Sequence, residues 1–176
     1  MPSTSLGIPY PASTDHVRLW EHIQSLAQTI DDLLDVPAEA SASSTGANTI
    51  TATTWAALPT PLSVDLTNPH PTRGLFTQVS YGAQLTATAT DLRVCVAATG
   101  GLTIPAGIGT GGALSWGEVL YISLATSGSW SLQSAFTCTL PAGTTTTLSM
   151  QAYRAVATGT QTVNFPTLRA TPLRYV

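Results

Sequence analysis

Apolar residues recur with two different periods in this chain, and the change from one to the other falls at Pro37. Before it, Leu19, Ile23, Leu26, Ile30 and Leu33 follow a 4-3-4-3 spacing, and Trp20, Ala27 and Leu34 widen the same stripe. That spacing predicts an amphipathic helix over 14–35. Ser13, Thr14 and Asp15 supply its cap and first-turn acid, and Pro37 stops it. Beyond residue 49 the period becomes two. Trp130, Leu132, Phe136, Cys138 and Leu140 alternate with Ser131, Gln133, Thr137 and Thr139, and Leu148, Met150 and Ala152 with Thr147, Ser149 and Gln151. Alternation of this kind is the mark of a strand with one face buried.

The rest of the chain divides around these two signals. In residues 1–12, Pro2, Pro9 and Pro11 bar a helix, so an extended arm is expected, with Ile8 and Tyr10 as its apolar anchors. Residues 1–36 thus read as an arm and an anchoring, oligomerising helix. Residues 37–48 are small and polar and read as a flexible linker. Residues 49–176 read as a β head. Its further candidate strands are 49–57, 61–66, 74–81, 84–97, 161–165 and 167–175, separated by Pro- and Gly-rich turns. The near-continuous apolar run from Val119 to Leu124 predicts a central strand. Thr supplies 30 of the 176 residues, and β-branched side chains favour strands. The expected fold is mainly β: an extended arm and a single helix, then a β-sandwich or jelly-roll-like domain of about eight strands.

Charge is scarce and unevenly placed. Charged residues make up 9% of the chain, against roughly 25% in an average soluble protein. There is no lysine. So weakly charged a surface suits an assembly that covers much of it. The net charge of −3 gives no basic footprint for nucleic acid. No apolar run reaches the roughly 18 residues of a membrane span, and no signal peptide is visible. Cys95 and Cys138 fall in expected strands and read as two buried thiols.

Motifs for chemistry are few. Gly107-Ile108-Gly109-Thr110-Gly111-Gly112 matches G-x-G-x-x-G as a string, but a β run follows it and 127–135 hold no acid, so it reads as a hairpin loop and no cofactor is expected. The β head has three carboxylates, Asp65, Asp91 and Glu118, in no recognisable pairing, and a polysaccharide-acting enzyme would need them. His16, His22 and His70 do not have metal-ligand spacing. Catalytic, cofactor and metal residues are accordingly none. Trp116 follows the glycine loop, and an exposed loop Trp is a candidate for contact with a glycan or protein surface.

The helix stripe amounts to about two and a half heptads. Ile at a and Leu at d favours two strands, while Trp20 beside the seam leaves three open.

Two stretches resemble a known group of proteins. Leu6-Gly7-Ile8-Pro9-Tyr10-Pro11, then Thr14-Asp15-His16-Val17, Trp20, Ile23-Gln24-Ser25-Leu26-Ala27 and Ile30-Asp31, resemble the N-terminal segment of small tail or fibre proteins of phages infecting actinobacteria. Pro141-Ala142-Gly143-Thr144, Leu148 to Ala152, Val163-Asn164 and Leu168 to Tyr175 look like the closing strands of their β heads. The resemblance covers about 60 residues. It implies a non-enzymatic virion protein, trimeric more readily than dimeric. Its arm and helix, through Ile8, Tyr10, Leu19, Trp20, Ile23, Leu26, Ile30 and Leu33, would meet other virion proteins and copies of itself, and its head would face outward toward host cell-wall glycan. The short linker and missing shaft make a compact knob or a capsid decoration the alternative placement.

Overall fold

The computed structural model describes residues 19–88, 92–102, 115–122, 128–154 and 156–176; of these, the side chains at 19, 20, 32–34 and 115–122 fall outside the description. One helix, α1 (Leu19–Leu34), precedes ten strands. These are β1 (Ala40–Ser43), β2 (Ala47–Thr49), β3 (Ala56–Ala57), β4 (Ser63–Thr67), β5 (Leu75–Ala87), β6 (Leu92–Ala98), β7 (Ser115–Ile122), β8 (Gly128–Leu140), β9 (Thr145–Arg154) and β10 (Gln161–Tyr175). The expected arm, its anchors Ile8 and Tyr10, the helix start at 14–18, His16, Asp91 and the glycine loop at 107–112 all lie outside the described residues.

α1 runs sixteen residues, a little over two heptads, with Glu21 in its first turn. Its last carbonyls are used as far as Asp31, which accepts from the Asp35 amide at 2.8 Å. The stripe is not covered: Ile23 is 57% exposed and Ile30 40%, while Leu26 is half-buried. No helix among the described residues is long and apolar enough to cross a membrane.

The strands form two antiparallel sheets. In the first the order is β1-β10-β5-β8, with β2 also on β10; in the second it is β3-β9-β6-β7, with β4 also on β9. The inward side chains of both sheets share one apolar cluster. Val79, Leu85, Cys138, Val163 and Leu168 come from the first sheet, and Leu66, Val94, Leu148 and Met150 from the second, each at most 1% exposed. Burying each leucine side chain contributes about 1.5–3 kcal/mol before chain entropy is set against it. The alternation read from β8 is seen in its burial: Phe136, Cys138 and Leu140 are buried. Its far end runs past the cluster, so Leu132 is half-buried and Trp130 is 52% exposed.

Two asparagines close the corners. Asn68, fully buried, donates from Nδ2 to the carbonyls of Arg73 (2.8 Å), Leu140 (3.1 Å) and Pro141 (3.0 Å), and its Oδ1 accepts from the His70 amide at 3.0 Å. Asn48 accepts from the Thr60 amide at 2.7 Å and donates to the Val163 carbonyl at 3.4 Å. The hairpin from β8 to β9 turns at Gly143, whose φ of 62° suits glycine.

Several expectations are corrected. Residues 40–43 and 47–48, read as flexible linker, lie in strands paired with β10. Their small residues carry little strand signal of their own. β10 is fifteen residues long and offers an edge, and Ala40 and Ala42 pack against the core. The expected strand 49–57 is two short pieces, β2 and β3. The expected strand 84–97 is divided between the end of β5 and β6. The described part of the apolar run, 119–122, lies on β7, which pairs only with β6 among the described strands and is therefore an edge, not a centre. The two cysteines, in contrast, agree with the expectation: both are buried free thiols, on different sheets.

Candidate binding groove

Among the described residues, two hollows lie on the outward face of the first sheet. On β5 the outward positions at mid-strand are Ser80 and Gly82. Gly82 pairs with Gln133 of β8 on one side and Thr167 of β10 on the other. A Cβ at position 82 would stand 2.9 Å from both the Gln133 Cγ and the Leu132 carbonyl oxygen, so glycine here lets the Gln133 side chain lie close over β5. Ser80 lines a trough of about 660 Å³ with Ser41 and Ser43 of β1, Gln133 and Ala135 of β8 and Thr167 and Arg169 of β10, and Gly82 lines the hollow beside it. A second hollow of about 610 Å³ adjoins it, sharing Gln133 and Thr167, with Phe165 on its wall.

Phe165 owes its position to a bulge. The pairing of β10 with β5 slips between Asn164 and Thr167, and Phe165 takes φ 50° there. A bulky residue in the left-handed region is strained by about 1–2 kcal/mol. The flanks hold it: Asn164 Nδ2 donates to Thr86 Oγ1 at 3.2 Å, Thr167 Oγ1 donates to the Gly82 carbonyl at 3.3 Å, and the Pro166 carbonyl accepts from the Ser44 amide at 3.0 Å. The ring is 57% exposed.

Electrostatically the groove is close to neutral. Arg169 is the charged residue in its described lining, and its Nε already lies 3.1 Å from Glu39 Oε1. Glu39 in turn accepts from Thr171 Oγ1 at 3.0 Å. The lining therefore offers hydroxyls, a carboxamide and one aromatic face: chemistry for holding a ligand by hydrogen bonds and ring contact. Among the described residues no group of three or more His, Cys, Asp or Glu stands ready for a metal.

Of the residues singled out by sequence, those whose side chains are described do not line this groove. Ile23, Leu26 and Ile30 lie on α1; Leu19, Trp20 and Leu33 lie on it too, their side chains outside the description. Trp116 is on strand β7 opposite Val96 rather than in a loop, and its side chain is likewise outside the description. Asp65 accepts from Thr147 Oγ1 at 2.6 Å on the second sheet; Glu118 is on β7. Sequence reasoning missed Gly82 and Phe165. The signal available for the second was Phe165-Pro166, since a proline inside a strand pattern marks an edge or a bulge.

In comparison with known proteins, no family model matches the chain, and no curated protein matches it.

Proposed function

We propose that the chain is a non-enzymatic structural protein of a phage virion: a small trimeric knob, anchored through its N-terminal arm and helix, with the β head turned outward. The observation that carries this reading is the strand order. With β1 and β2 taken as one strand, and β3 and β4 as another, the two sheets read 1-8-3-6 and 2-7-4-5. We read that order as the connectivity of a jelly roll, an architecture used repeatedly in virus capsids and in lectins.

The helix supports assembly. Ile23 and Ile30 face solvent on the same stripe, seven residues apart, where a copy of α1 would cover them. Scarce charge on the body agrees with further burial between copies. Three is the number we favour, because the β head dominates the chain and the seam at α1 is short.

Two experiments test the reading. Antibody labelling of purified particles, viewed by electron microscopy, is expected to place the protein on the tail. Label spread over the head would make it a capsid decoration, and label on no particle would end the virion reading. Separately, Ile23→Asp with Ile30→Asp is expected to reduce a trimeric mass to that of one chain. A double variant that keeps the wild-type mass would remove α1 from the assembly.

A further inference from the structure

We infer that the groove over Gly82, walled by Phe165, is a binding site for a neutral oligosaccharide. This deepens the virion reading and rests on it, since it names what the outward head would hold.

Four features lead there. The first is the cost of Phe165. A bulky side chain held at φ 50° and left 57% exposed gains little from burial to offset its strain. An aromatic face presented to water at a hollow is what the C–H face of a sugar ring packs against.

The second is the composition of the hollow. Ser43, Ser80, Gln133 and Thr167 offer hydroxyls and a carboxamide; Ser43 stands opposite Thr167 at the spacing of adjacent strands, about 4.8 Å, and Gln133 lies across Gly82 from Thr167, about 10 Å away, a spread that takes more than one sugar ring. The serine hydroxyls and the carboxamide both donate and accept, as sugar hydroxyls do, and Thr167 Oγ1, whose proton goes to the Gly82 carbonyl, can accept.

The third is charge. An acidic ligand would have Arg169 to bind, but Glu39 already holds its Nε at 3.1 Å. A neutral ligand loses nothing to that pair.

The fourth is the backbone beneath. The groove lies over β10, β5 and β8, and both β10 and β5 have strand partners on each side. An extended peptide binding by strand addition needs an open edge, and the middle of this sheet has none.

The test is heteronuclear NMR and calorimetry on the intact protein. The probes are tri- to hexasaccharides of glucose, galactose, mannose, arabinose and N-acetylglucosamine. We expect one or more to shift the amides of Gly82, Gln133, Phe165 and Thr167 selectively. Phe165→Gly should weaken that binding about tenfold. Glycine is at ease at φ 50°, so this variant stays folded and its loss is not a folding defect. Gln133→Ala is expected to weaken binding by a smaller factor. No shifts with any sugar would overturn the proposal. So would binding that both variants leave unchanged. Shifts at the same amides on raising protein concentration, without sugar dependence, would give the face to a second copy and also overturn it. The virion reading is decided apart from this: labelled particles with a groove that binds no sugar keep it, and a sugar-binding protein found on no particle loses it.

Discussion

The Tyr175 hydroxyl donates to the main-chain carbonyl of Asp35 at 3.1 Å, so the close of β10 is fastened to the chain just past α1. The ring is buried beside His70, with centroids 4.8 Å apart. Burial, and then the Asp35 carboxylate, push the Tyr175 phenol up, which keeps its proton available for donation. Tyr175→Phe removes this one bond and little volume. It should cost about 0.5–1.5 kcal/mol. Hydrogen exchange is expected to quicken in α1 more than in β5 or β9. Equal quickening everywhere would show that the bond does not govern the helix.

Asn68→Ala should be the more damaging change. It takes a donor from the Arg73, Leu140 and Pro141 carbonyls at a fully buried position, and of these Pro141 keeps the Thr144 hydroxyl at 2.7 Å. A loss of about 2–4 kcal/mol is expected, because buried acceptors left without partners pay their full desolvation. A thermal melt would read this as a fall of about 5–15 °C for a chain of this size. Asn68→Asp should be no better, since it restores the oxygen that accepts from His70 but not the donors.

Phe165→Gly is expected to raise stability by about 1 kcal/mol, by removing left-handed strain from a side chain that is mostly in water. Few substitutions of a large apolar residue by glycine are predicted to stabilise a strand. A melting temperature below wild type would mean that the ring contributes more to the bulge than its exposure suggests.

Cys138 gives the fold a pH dependence of known sign. Burial pushes its thiol up to about 12. Below about pH 9 the group is neutral in both the folded and the unfolded chain and changes nothing. As pH rises from about 9 toward 12, the unfolded chain releases this proton and the folded one keeps it, so stability falls, by at most about 1.4 kcal/mol per pH unit. Urea melts at pH 8, 9.5 and 10.5 should show the stability of the wild type over Cys138→Ala shrinking across the series. A constant difference would mean that the thiolate is tolerated in the core.

The parts of the fold legible in the sequence are those whose signal is local. Pro37 and the Leu19–Leu33 spacing mark the helix, and alternation marks the buried end of β8. What failed was whatever depends on a partner elsewhere. Ala40-Ser41-Ala42-Ser43 has no strand signal until β10 lies beside it, and the apolar run from Val119 says nothing about whether β7 has one neighbour or two. The groove was hidden for the same reason: Ser43, Ser80, Gln133 and Thr167 are far apart in sequence and meet only through the register of four strands. The helix residues were legible as a stripe, and their exposure could be known only once the sheets were in place.

β10 pairs with β1, β2 and β5 alike. During synthesis those three strands leave the ribosome well before it does. The first sheet therefore cannot close until residues 161–175 emerge, and β5 waits beside β8 at most, with its other edge bare. Pairings so distant in sequence form slowly and leave apolar surface open meanwhile. The sheet that carries the groove is thus completed late, and a ribosome that stalls before β10 releases a chain with a sticky edge rather than a smaller version of the same head.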